Sequence, residues 1–139
     1  MKIRRSQVLL AAALLLLSSC SAAKALDVTK QSVAKFHSNL NAGQFDQIYA
    51  EASQDYRKSV AADKHRKLFA AIQRKLGNAR TYSVTGLNVN FNTAGEFVRM
   101  QCKTKFVKAE TGEMFDFRVS GGVASLTFYN INSSAFLTE

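Results

Sequence analysis

The apolar positions of this chain change period once. Over residues 28–77 they recur every three or four residues, and from residue 80 onward they alternate. Val33, Phe36 and Leu40 fall at i, i+3 and i+7, which is one face of a helix. Thr29, Lys30, Lys35 and Asn39 belong to its wet face. Asp27 is placed to cap its start, and Asn41, Ala42 and Gly43 supply a stop. Phe45, Ile48, Tyr49 and Ala52 predict a short second helix. Residues 53–59 read as a break rich in turn formers, with Tyr56 packing back on the core. His65, Leu68, Phe69, Ile72 and Leu76 trace the stripe of a third helix. Asp63 at its start and Arg74 and Lys75 at its end suit the helix dipole, and Gly77 is its natural C-cap.

The alternating half predicts four strands. Tyr82 and Val84 share one phase and Leu87, Val89 and Phe91 the other, with Gly86 at the slip, the signature of a bulge or bend. Residues 92–95 form a turn. Val98, Met100, Cys102, Thr104 and Phe106 then alternate with Arg99, Gln101, Lys103 and Lys105. Residues 109–112 read as a hairpin loop. Phe115, Phe117 and Val119 alternate with Asp116 and Arg118, Gly121 and Gly122 turn the chain again, and residues 123–131 are the last strand before a tail. Helices segregated from strands indicate one α+β domain over 28–139, with about three helices packed on a four-stranded antiparallel sheet curved at Gly86.

The first residues follow a different pattern. Lys2, Arg4 and Arg5 precede an unbroken apolar run over residues 8–17, and Ser18, Ser19 and Cys20 follow. This is the layout of a secretory signal over residues 1–19. Ten apolar residues fall short of the roughly 20 that a transmembrane helix needs. Leu17, Ser18, Ser19 and Cys20 resemble the lipobox of bacterial lipoproteins. The resemblance implies diacylglyceryl transfer to the Cys20 thiol and cleavage before Cys20, and residues 20–27 then read as a lipidated cysteine and short tether. It further implies a membrane partner through the lipid and a periplasm-facing envelope location. Ser21 is not acidic, which implies the outer membrane if the source has two membranes.

Composition adjusts this picture in two places. The 139-residue chain carries +9, but Lys2, Arg4 and Arg5 leave with the signal. The 19 basic side chains become 16 against 10 acidic ones, a moderate +6. That bias suits anionic lipid or an acidic partner as well as simple solubility, and export argues against nucleic acid. With Cys20 assigned to the lipid, Cys102 stands alone and no internal disulfide is expected. Zinc-ligand spacings are absent from the sequence, and no cofactor is expected.

The run 42–49, then Arg74, Lys75, Leu76 and Gly77, then 128–133, is similar to small bacterial lipoproteins with a cystatin-like domain related to nuclear transport factor 2. The resemblance implies a strongly curved sheet wrapping a long helix and leaving a cone-shaped cavity. It implies a fold far more than an activity.

Chemistry is sparse. An isomerase of that fold would need a carboxylate base inside the cone and an oxyanion donor. Asp116 is out of phase with Phe115 and Phe117, and Glu96 sits at a strand end. Tyr49, Tyr56, Tyr129, His37 and His65 form no spacing with mechanistic meaning. No catalytic residue is therefore assigned, and a non-catalytic binding or interaction domain is expected. Arg99, Lys103 and Lys105, widened by Arg118, form a basic row that is either an anion- or partner-binding face or an ordinary solvated surface. Phe91, Phe106, Phe115, Phe117 and Tyr129 either line a pocket for a small apolar ligand, as in a carrier or sensor, or pack as core.

Overall fold

A computed structural model describes the backbone of residues 5–136 and the side chains of residues 22–136. Residues 1–4 of the expected signal and the side chain of Cys20 lie outside the described residues. Four helices come first: α1 (Arg5–Asn41), α2 (Phe45–Glu51), α3 (Gln54–Ser59) and α4 (Ala62–Leu76). Four strands follow: β1 (Ala79–Asn92), β2 (Gly95–Phe106), β3 (Glu110–Ser120) and β4 (Val123–Asn132), then a 3-10 turn over Ser134–Phe136.

α1 lies across the sheet and touches all four strands. Its C-terminal end is fixed by Asn41, whose amide donates to the Ala79 carbonyl and whose carbonyl oxygen accepts from Ala79 N–H. Farther back, the Ser32 hydroxyl donates to Ala124 O at 3.2 Å. The helix therefore runs from the end of the sheet that holds turns 92–95 and 120–123 toward the start of β1. Val33, Phe36 and Leu40 are buried, as their spacing predicts. Thr29 and Asn39, expected on the wet face, are buried too, at 0% and 8% exposure. The sheet and α2 pack against different sides of α1, so its buried arc is wider than one stripe. Thr29 satisfies its hydroxyl on Ala25 O at 2.7 Å. Asp27 does not start a helix, because α1 is already continuous there. Ala25, within the stretch expected to be a tether, is 2% exposed and belongs to the docked helix.

Residues 54–59 form a helix rather than a break. The Ser53 hydroxyl accepts from Tyr56 N–H at 3.1 Å, an N-cap made by the residue types that also make turns. Tyr56 is 3% exposed, packed back on the core as expected.

The sheet is a flat, open meander in the order β1-β2-β3-β4. This corrects the expectation of a curved, cystatin-like or nuclear-transport-factor-2-like sheet enclosing a helix in a cone. β1 and β4 remain unpaired edges, and the helices lie against the sheet as a layer. The expected slip at Gly86 is present as a register shift between Val84 and Gly86. A Cβ at Gly86 would sit 2.5 Å from the Gln101 amide oxygen, the movable end of an exposed side chain that would have to swing aside. A local bulge does not close a sheet, which requires its two edges to pair. The hairpin loop expected at 109–112 is shorter, since β3 already begins at Glu110.

Candidate functional site

The aromatic residues pack mainly on one another. Phe36 meets Phe115 edge-on at 5.0 Å and Phe69 at 5.4 Å, and Phe115 stacks on Phe117 at 6.0 Å. Phe106, Phe115, Phe117 and Tyr129 are buried core, and of these Phe117 alone borders one of the surface depressions described below. Phe91 is 56% exposed near the 92–95 turn. These five residues therefore do not converge on one cavity.

A buried polar network sits inside this core. Glu113 is 2% exposed, in phase with Phe115 on β3. Its Oε1 accepts from the Tyr129 hydroxyl at 2.6 Å, and its Oε2 accepts from the Thr104 hydroxyl at 2.5 Å. His37 Nε2 lies 2.7 Å from the same Oε2. Burial first, then the nearby Glu113 charge, pushes the Tyr129 hydroxyl well above its usual range. A carboxylate facing a tyrosine hydroxyl is one element of isomerase chemistry. Here three side chains occupy both carboxylate oxygens, and none of the four residues borders the surface depressions described below. The arrangement links α1, β2, β3 and β4 as a satisfied structural network. Sequence reasoning missed Glu113, although its phase with Phe115 and Phe117 carried the signal.

A second buried cluster joins α3 to α4. The Tyr56 hydroxyl donates to His65 Nδ1 at 2.9 Å, and His65 Nε2–H donates to Phe45 O at 2.8 Å. The Phe45 carbonyl sets a ring proton on Nε2. Burial drives the imidazole pKa down against the opposing pull of the Phe45 carbonyl. The Tyr56 hydroxyl is pushed up to about 12, mainly by burial.

The basic row is largely compensated. Arg99 holds Asp116 through two bonds of 2.7 and 2.6 Å, and Lys103 pairs with Glu110 at 2.7 Å. Asp116 lies on the outer face, as its phase predicts. Arg118 donates to Ala94 O and lies 5.9 Å above the Phe97 ring, while Lys105 is exposed. Glu96 is half-buried at its strand end.

Among several surface depressions, a mostly apolar one of about 270 Å3 lies between α1, α2 and the end of the sheet near turn 120–123. Phe36, Ile48, Ala52, Phe117 and Leu126 form a mostly apolar floor. Lys35 and Glu51 pair at 2.7 Å across its rim. Burial raises the Glu51 pKa, but hydrogen bonds from Lys35 and Gln47 outweigh it and hold the carboxyl below its ordinary range. Asn39 also lines the cavity. A shallower depression shares Ser32, Lys35, Val123 and Ala124 with it and extends to Val28 and Gly122. No sequence pattern signals this cavity, because helix and strand residues far apart in the chain build it.

Among the described residues no group of three or more His, Cys, Asp or Glu side chains could hold a metal. No helix among them is long and apolar enough to cross a membrane. No family model and no curated protein matches the chain.

Proposed function

We propose that this protein is an exported envelope lipoprotein, held to a membrane through lipid on Cys20 and presenting its small α+β domain as a non-catalytic binding module. The observation that carries the anchor is the lipobox-like Leu17, Ser18, Ser19 and Cys20 directly behind a ten-residue apolar run. Stable anchoring takes more than one acyl chain at about 0.8 kcal/mol per buried methylene, which diacylglyceryl transfer supplies. Ser21 directs the anchored protein to the outer membrane of a two-membrane cell. The binding role is supported by the cavity beside α1, whereas the titratable groups of the core are engaged with one another.

Metabolic labelling with a palmitate analogue tests the anchor. The chain should take up the label and fractionate with membranes, and Cys20→Ala should lose both properties. Equal labelling of that variant would remove the anchor from the proposal.

A further inference from the structure

We infer that the free edge of β1 joins a second copy of this chain, in an antiparallel β1–β1 pair centred on Val89 that merges two four-stranded sheets into one of eight. The inference rests on neither the lipid at Cys20 nor the depression beside α1.

The two edges of the sheet differ. At β4 the Ser53 N–H donates to Leu126 O at 2.9 Å, and the Ser32 hydroxyl donates to Ala124 O at 3.2 Å. The helical layer thus uses outward carbonyls of that strand. Among the described residues no backbone group of 80–92 bonds to backbone outside the sheet. Residues 81–95 contain no charged residue and no proline. Proteins guard open edges with charges, proline, bulges or a covering segment. Of these β1 has the bulge at Gly86, and beyond it Leu87 to Asn92 run in unbroken register with β2.

α1 leaves this corner bare. It crosses the sheet from β4, where Ser32 meets Ala124, to the start of β1, where Asn41 holds Ala79. The far end of β1 lies off that diagonal. Leu87 and Val89 stand opposite Met100 and Val98, whose side chains are buried under the helices, and Phe91 shares their phase. Yet Leu87 is 45% exposed and Phe91 56%. An apolar row on the core face that the core does not cover marks an interaction surface.

The sequence of the strand selects the partner. Leu87, Asn88, Val89, Asn90 and Phe91 read nearly alike in both directions about Val89. With a two-fold axis at Val89, each Leu87 faces the partner's Phe91 and each Asn88 faces the partner's Asn90. Apolar pairs fall on the helical face. Amide pairs, each with donors and an acceptor, fall on the outer face. A slip of one residue would set apolar side chains against asparagines. Charge agrees with this choice. The chain carries +9 and repels its own copies wherever that charge is exposed, whereas this stretch carries none.

The joint is small. One strand pair with three apolar side chains from each copy falls below the roughly 1,200 Å2 of a standard interface, so the dimer is weak and exchanging.

The test uses the purified full chain carrying Cys20→Ser in mild detergent, with one cysteine added and oxidised by copper phenanthroline. Cys102 is buried and stays out of the reaction. Val89→Cys should give a disulfide-linked dimer, because residues on the axis stand about 4.5–5.5 Å apart, within reach of a disulfide. Leu87→Cys alone should not, since its two copies lie four residues apart along the strand, roughly 14 Å. Leu87→Cys mixed with Phe91→Cys should link. Adding Leu87→Lys to Val89→Cys should lower the yield about tenfold, because an ammonium would be set against the partner's Phe91. Leu87 is exposed, so the thermal melt should be retained. Equal yields from Val89→Cys, Leu87→Cys and the exposed β4 variant Val123→Cys would signal random collision and overturn the pairing. Undiminished linking in the folded Leu87→Lys variant would do the same. A Val89→Cys chain that stays monomeric over a micromolar series, yet forms mixed disulfides with other proteins in cells, gives the edge to a foreign strand and overturns the second copy.

Discussion

The Tyr129 hydroxyl donates to the Glu113 carboxylate at 2.6 Å in the middle of an aromatic core. The same carboxylate receives Thr104 and faces His37, so one side chain joins three strands and a helix. Removing one donor leaves a buried acceptor underused. Tyr129→Phe should therefore cost about 1.5–3 kcal/mol, the range for a hydrogen bond to a charged group. Glu113→Leu leaves three polar partners without an acceptor and should cost more than Tyr129→Phe. Urea unfolding of the Cys20→Ser chain, compared at equal m-value, checks both numbers. A change below about 0.5 kcal/mol in either would place the network outside the stability of the fold.

His65 makes the fold sensitive to acid. Burial lowers its pKa from the ordinary 6.5, so the unfolded chain binds the proton more readily than the folded one. This contribution is fully present above pH 6.5. It is lost as the pH falls below 6.5 toward the depressed folded value. Tyr56→Phe removes the hydroxyl that donates to Nδ1, which should change the steepness of that acid limb. Thermal melts from pH 7.5 down to pH 4.5 should show the loss, and His65→Gln should flatten it. An unchanged profile in that variant would assign the acid limb to other groups.

Cys102 should behave as a small apolar residue. It is 2% exposed, and burial together with the Glu113 charge pushes its thiol up to about 12. At neutral pH it is a protonated thiol and a poor nucleophile. A bulky maleimide should therefore modify the Cys20→Ser chain only at the rate of unfolding, as stopped urea-dependent kinetics will show. Fast labelling under native conditions would contradict this placement.

The outer face of β2 offers a charge-reversal test. Arg99 pairs with Asp116 and Lys103 with Glu110 across strands β2 and β3. Changing Arg99, Lys103 and Lys105 together to Glu sets like charges opposite one another. The expected cost is about 1–2 kcal/mol over the two pairs, with the fold retained. Cosedimentation of the Cys20→Ser chain with anionic vesicles should fall no further than it does when three exposed cations elsewhere, Lys58, Lys64 and Lys67, are reversed, because the net charge drops by six in both variants. A larger loss of vesicle binding without loss of stability would make this row a functional surface.

Gly77 ends α4 at φ 74° and ψ −160°, a region open to glycine alone. A Cβ there would also stand 3.0 Å from Val107 Cβ. Gly77→Ala should cost about 1–3 kcal/mol in a chemical melt.

Much of this architecture is legible in the chain. The change of apolar period separates helices from strands, Gly86 marks its register slip, and the phase of Cys102 places it inside. The failures have physical causes. Ser53, Gln54 and Asp55 form turns and cap helices by the same side-chain chemistry, so α3 reads as a break. Thr29 and Asn39 sit off the main stripe of α1 and read as solvent-facing, yet a helix gripped from two sides buries more than one stripe. Glu113 lies one residue beyond an expected loop, where its phase with Phe115 is easily missed. Whether a sheet closes depends on its edges meeting, and a glycine slip reports only a local bend. The cavity beside Asn39 arises where three distant segments leave a gap, which no local pattern records.

α1 is unbroken from Cys20 to Asn41, and this governs how the domain responds to pulling. A force applied between Cys20 and a bound partner travels along the helix axis. The contacts of α1 with all four strands lie side by side along that axis, so they must slide together before any one gives way. A strand at the sheet edge loaded at its end would instead lose its hydrogen-bonded pairs in succession. The rod thus sets the strong mechanical direction of the domain along the α1 axis.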